Sequence, residues 1–226
     1  NGPRTFMDYT RMTQNGHYSG WIEVDGDRID LAPGCSGTRD RSWGVRPIGA
    51  ADAQPHSASR QPSFFWQWTP VNLERRSLFF HINAHRSGKP WNTRAAVAPD
   101  GAGHDGFYET PSAIMTTRHC KGTRWPDGGA LVIETDNGPL EIQFEPIQRF
   151  QMRGLGYTCP RWGHGLNHGA LAVEREDFDL AELDPLAPDM GNLHVQMLCR
   201  VHTSAGETGL GTFEQLVLGP YDPWGL

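Results

Sequence analysis

The sequence predicts an all-β domain built from antiparallel strands. Glycine (27) and proline (17) are abundant and spread along the 226 residues, so turns recur throughout. Short apolar and alternating runs lie between those turn signals. Amphipathic helical periods are almost absent, and the single helix candidate is the short acidic stretch from Asp177 to Leu183. About ten strands with little helix are therefore expected, closed as a barrel or packed as a sandwich. No internal repeat and no composition break divides the chain, so residues 1–226 read as one domain.

Each element has its own signal. His17 to Leu31 reads as a hairpin turning at Asp25-Gly26, a pair that accepts the left-handed backbone of a type I′ turn. Ser63 to Asn72 and Ser77 to His85 are strands. Ser87-Gly88-Lys89-Pro90 turns the chain into Trp91 to Ala98. Ala130 to Thr135 and Leu140 to Glu145 flank Asp136-Asn137-Gly138, a second hairpin. His194 to Thr203 and Thr212 to Leu218 flank a glycine-rich turn and make a third. Ala50 to Pro62 and Asp184 to Gly191 read as loops.

Strand alternation then sorts side chains by face. From Leu78 to His85 one face carries Leu78, Phe80, Ile82 and Ala84 and is core. The other carries Phe79, His81, Asn83 and His85, a polar stripe that either meets solvent or lines a barrel interior. His81 and His85 stand about 13 Å apart along a strand, too far to share one metal ion. Phe64, Trp66 and Trp68 share a face and would fill a barrel or wall an apolar pocket. His194 to Arg200 alternates as an ordinary half-buried strand, and its histidines carry little weight.

Three segments concentrate chemistry. Gly37 to Pro47 packs Asp40, Arg39, Arg41, Arg46 and Trp43 into eleven residues. Burying an unpaired charge costs several kcal/mol, so Asp40 is expected to pair with an arginine at a strand end lining a cavity. That pair is either structural or part of a site. Trp162 to Gly169 sets His164 and His168 among glycines that allow close backbone approach to a ligand. Imidazole titrates near neutrality, which favours a proton donor or acceptor over a metal ligand here. Tyr108 and Glu109 lie on opposite strand faces, so only one of them can face a pocket.

Composition and missing motifs exclude several classes. A net charge of −6 and a pI near 5.9 lack the basic footprint of a nucleic-acid binder. No apolar run approaches the roughly 20 residues needed to span a bilayer. No signal peptide is recognised after Asn1. The scattered Cys35, Cys120, Cys159 and Cys199 form no CxxC pair and read as free thiols of a cytoplasmic protein. There is no GxSxG elbow, P-loop, GxGxxG, HExxH or paired-carboxylate motif. No metal or cofactor is expected.

The run Gly20-Trp21-Ile22-Glu23-Val24-Asp25-Gly26, followed by Arg39-Asp40-Arg41-Ser42-Trp43-Gly44, resembles the AttH-like lipocalin superfamily. That group includes carotenoid 1,2-hydratases, tocopherol-cyclase-like proteins and fungal Diels–Alder cyclases. Its hallmark Asp-His-x-Trp-Gly is met by Asp40, Trp43 and Gly44, with Arg41 in place of the histidine. The stretch Gly154-Leu155-Gly156-Tyr157 through Gly165 also resembles members of the group. The resemblance spans about two-thirds of the chain. It implies an antiparallel lipocalin-like barrel, here a single lobe corresponding to the C-terminal half of a two-lobe architecture. It further implies a cofactor-independent lyase, hydratase, isomerase or cyclase acting on a hydrophobic small molecule in a barrel cavity. Asp40, His164 and His81 would be the catalytic groups. Arg41, Trp43, Trp66, Trp68, Tyr108, Tyr157 and Trp162 would contact the substrate. A non-catalytic barrel that holds an apolar ligand is the alternative, since fold alone does not decide chemistry.

Overall fold

A computed structural model describes residues 5, 7–46, 48, 63–103, 105–152 and 159–226. The loop expected over Ala50 to Pro62 lies outside the described residues, as does Tyr157. The described chain is all-β, as the sequence predicts. In order the strands are β1 (Asp8–Tyr18), β2 (Trp21–Val24), β3 (Asp27–Asp30), β4 (Cys35–Val45), β5 (Phe64–Leu73), β6 (Arg76–Ala84) and β7 (Pro90–Pro99). They continue as β8 (Tyr108–Thr110), β9 (Ala113–His119), β10 (Pro126–Thr135), β11 (Gly138–Gln151), β12 (His194–Thr203) and β13 (Thr208–Leu218). Thirteen strands stand where about ten were expected. The excess comes from short strands and from β1 and β9, whose polar residues mask their alternation. The acidic helix candidate is a single 3-10 turn, Leu180–Glu182, capped by the Asp179 side chain. The Asp184 to Gly191 loop runs into one α-helical turn, Met190–Leu193.

Nine strands form one antiparallel sheet in the order β8-β7-β6-β5-β13-β12-β11-β10-β9. The sheet curls into a half-barrel that brings β8 at one end close to β10 near the other. Tyr108 Oη on β8 donates to Glu134 O on β10 at 3.0 Å, and Glu134 N donates to Ser112 O at 2.9 Å. Thr117 Oγ1 on β9 reaches Gln67 Oε1 on β5 at 3.1 Å. The barrel interior is a packed core. Val71, Leu78, Phe80, Ala95, Leu131, Ile133, Ile142, Phe144, Val201 and Phe213 are at most 1% exposed. Apolar burial on this scale contributes roughly 1.5–3 kcal/mol for each large side chain.

β1 and β4 pair as a separate long ribbon, and β2 and β3 as a small hairpin beyond it. The hairpin turn is as read from sequence: Asp25 and Gly26 both take positive φ, 55° and 86°, as a type I′ turn requires. The ribbon lies against the outer face of the barrel. Asn15 Nδ2 donates to Val71 O on β5 at 2.8 Å, and Thr38 Oγ1 donates to Asn15 Oδ1 at 2.7 Å. This arrangement decides between the two readings of each polar or aromatic face. The stripe of Phe79, His81 and Asn83, and the face of Trp66 and Trp68, lie outside the barrel rather than within it. The register pairs Val71 with Leu78 and Thr69 with Phe80 on the core face, so Trp68 and His81 pair on the other.

Phe213 packs on Phe144 with ring centroids 4.5 Å apart and is fully buried. Phe213→Ala is expected to lower unfolding free energy by about 3–5 kcal/mol. Leu171→Ala, at a side chain 85% exposed, should change it by less than about 0.5 kcal/mol. Urea denaturation of the two variants checks this, with a shifted midpoint for the first alone.

Candidate functional site

The seam between the β1–β4 ribbon and the outer sheet face encloses a cleft of about 320 Å³. Its ribbon wall includes Thr38 and Asp40, and its sheet wall includes Trp68, Leu198, Leu210 and Glu214. Alternation explains the membership. Asp40 pairs with Thr13, and Ser42 with Arg11, so these four side chains share the ribbon face turned to the sheet. Glu214 pairs with Trp68 on one side and Gln196 on the other, which sets all three on the outer sheet face.

Each carboxylate of the cleft has a basic neighbour. Arg11 Nε lies 3.5 Å from Asp40 Oδ1, and Thr13 Oγ1 donates to the same oxygen at 3.4 Å. The Arg11 guanidinium also stands 5.9 Å from the Trp66 ring centroid, within cation–π range. Across the cleft, His194 Nε2 is 2.9 Å from Glu214 Oε1, and Gln196 Nε2 donates to Oε2 at 3.1 Å. The His194 and Glu214 side chains are only 11% and 15% exposed, so this is a largely buried pair. Trp66 meets the His194 ring edge to face at 6.3 Å.

Two further histidines border the seam. Burial holds the His81 imidazole below its ordinary pKa. A hydrogen bond to the Asn92 side chain opposes that shift, Arg11 and Arg94 reinforce it, and Glu109 opposes it. Burial likewise lowers His164, helped by the positive fields of Arg46 and His194. Arg46 Nη1 in turn donates to Ser42 Oγ at 2.6 Å. Both rings are therefore biased toward the neutral form near pH 7.

The sequence-derived residues divide into two groups. Asp40 and Trp68 line the cleft, with Trp66, His81 and His164 at its borders through Arg11 and His194. Arg41 and Trp43 face away: they occupy the opposite side of β4, stacked on each other at 5.9 Å, with Trp43 53% exposed. Trp43 thus shares no interior with Trp66 and Trp68, because odd and even residues of a strand point oppositely. Tyr108 holds the barrel closed through Glu134. Trp162 donates to Glu174 Oε2 at 2.7 Å and stacks on His168 at 4.3 Å. Arg11, His194 and Glu214 went unrecognised in the sequence. Glu214 had a readable signal, an acid in the middle of the otherwise largely apolar run Thr212 to Leu218. Among the described residues no three His, Cys, Asp or Glu side chains group to hold a metal ion, and no helix is long and apolar enough to cross a membrane.

The chain belongs to a family of unknown function, DUF8625, which it matches over residues 1–226. No curated protein matches it significantly. Among solved structures it is similar to a candidate AttH protein from Nitrosomonas europaea, with 16% identity and a TM-score of 0.49 over 93% of this chain and 52% of the other. It is also similar to kievitone hydratase from Nectria haematococca, with 13% identity and a TM-score of 0.43 over 90% of this chain and 51% of the other. The chain spans about half the length of each. At these values neither structure speaks to the reaction of this chain.

Glu214→Ala is expected to destabilise the fold by about 1–3 kcal/mol, since it strips the acceptor from buried His194 and from Gln196. Glu214→Gln keeps an oxygen and should cost less. Chemical denaturation of both variants checks the order.

Proposed function

We propose that the ribbon–sheet seam is the active site of a cofactor-independent acid–base enzyme of the hydratase, lyase, isomerase or cyclase type. The observation that carries this reading is the presence of two carboxylates, Asp40 and Glu214, on the walls of one cleft. Each has a basic partner, Arg11 and His194 respectively. The substrate is a small, largely hydrophobic molecule with polar handles. Trp68, Pro70, Leu198 and Leu210 supply apolar surface for its body, and Asn72, Gln196 and Thr212 supply polar contacts. In this reading Asp40 gives or takes the proton at the reacting atom, and Arg11 fixes its carboxylate. A neutral His81 or His164 accepts a proton at pH 7 and returns it in the second half of the reaction. Trp68 and Trp66 offer ring faces to developing positive charge. The four cysteines are free thiols, which fits the cytoplasmic location proposed with this function.

A second reading is a non-catalytic binder of an apolar ligand. The Arg11–Asp40 pair and the Thr13 hydroxyl favour it, because together they occupy Asp40 as a clamp between ribbon strands. Proton transfer to or from carbon separates the two. The protein, incubated in D2O with a panel of hydrophobic alkenes, alcohols and enolisable ketones, should place solvent deuterium on carbon in at least one compound. Mass spectrometry reads this directly. Saturable binding without incorporation above a buffer control makes the protein a binder.

With a compound so identified, Asp40→Asn is expected to slow turnover by about 10²–10⁴-fold while moving the melting temperature little. Full turnover with a sharply lowered melting temperature assigns Asp40 to the clamp instead. The rate should also depend on pH through His81. Its folded pKa is lowered, so the neutral, active ring persists below the ordinary value of 6.5. The acid limb of kcat/KM should then have its midpoint below 6.5, and His81→Gln should abolish that limb. The same protonation weakens the fold only as pH falls from 6.5 toward the lowered folded pKa.

A further inference from the structure

A second cavity, of about 380 Å³, lies at the bulge of β11. It is lined by Trp125, Arg149 and Gln151, by Met197 of the packed core, and by Leu180 and Leu183 of the 3-10 turn. Arg149 lies flat on the Trp125 indole, its guanidinium carbon 3.7 Å from the ring centroid. Neither Arg149 Nε nor Trp125 Nε1 reaches a hydrogen-bond partner, although both atoms are buried. The bulge causes this placement. Register slips between Pro146 and Gln148, and from there Arg149 and Gln151, rather than the even-numbered residues, follow the core face of β11. A cation is thereby turned onto an indole beside the core, with no carboxylate of the described residues in ion-pair contact with it.

We infer that this cavity binds an organic anion, a carboxylate carried on an apolar body. Arg149 holds the carboxylate through its guanidinium N–H groups, whose planar fork suits two-pronged binding. Ile147 and Leu180, each about half exposed, flank the same space with Leu183 and Met197 and cover the apolar body. Asp127 also lines the cavity, but it is exposed, so water and salt screen its repulsion. Selectivity follows from this arrangement: the acid is preferred over the alcohol of equal chain length. The site shares no lining residue with the ribbon–sheet cleft, and the inference stands whether or not that cleft is catalytic.

Titration calorimetry with octanoate and with 1-octanol tests the assignment. Octanoate should bind with one saturable site and more tightly than octanol, and should weaken as sodium chloride is raised. Arg149→Gln should weaken octanoate at least about tenfold and leave octanol unchanged, since a tenfold loss is what one charged contact is worth. Trp125→Phe keeps the ring and removes the N–H, and should weaken octanoate to a smaller extent. It serves as the readout should Arg149→Gln fail to fold. Arg11→Gln, in the other cleft, should have no effect. Equal octanoate affinity in the wild type and in Arg149→Gln overturns the inference. So does loss of binding in Arg11→Gln instead, or no octanoate binding by the wild type at millimolar concentration.

Discussion

An amide of the ribbon is bonded to both the sheet and its own partner strand. Asn15 donates through Nδ2 to Val71 O on β5 and accepts through Oδ1 from Thr38 on the neighbouring ribbon strand. Asn15 and Thr38 are register partners, so a single side chain fixes both ribbon strands against the sheet. Without that anchor β1 and β4 would be an isolated hairpin, and isolated two-stranded ribbons are marginal in water. The cleft exists because the ribbon is held at this distance. Its depth, the burial of Trp68 and the lowered pKa of His81 all depend on the ribbon remaining seated.

The filled interior is the second constraint. A barrel of this kind can either hold a ligand or hold its own side chains. Here Phe80, Phe144 and Phe213 occupy the space, and Gln67 is tied to Thr117 across it. Chemistry-bearing groups consequently lie on the outer surface, where the ribbon covers them. The outer face of β5 and β13 is therefore mixed: Trp66, Trp68 and Leu216 lie beside Glu214 on it.

The fold class was legible because strand alternation and turn residues are local. Asp25-Gly26 dictates its own turn, and Leu78, Phe80 and Ile82 identify a core face without knowledge of any neighbour. The site was only partly legible. Asp40 stood out because an acid amid three arginines needs a partner, yet the expected partners were its sequence neighbours. The cation beside it is Arg11, which comes from the facing strand by register. Trp43 misled for the same reason, since a family motif places it beside Asp40 in sequence while the pleat turns it to the opposite face. His194 and Glu214 are 20 residues apart and meet only when β12 pairs with β13. Which face of a strand becomes covered is a tertiary fact, and alternation alone cannot supply it.

The strand order has a consequence for how this protein is made. β13 is the last strand of the sheet in chain order, yet it sits near the sheet's middle, between β5 and β12. Its partner residues on β5 were synthesised long before it: Phe64 waits for Leu218. Until β13 emerges, β8 to β5 and β12 to β9 are two half-sheets, each with its central edge exposed. Closing such long loops costs entropy before any contact repays it, which slows folding of all-β chains. A ribosome-bound chain therefore exposes two raw strand edges until β13 has been translated, and those edges are points of exposure to aggregation.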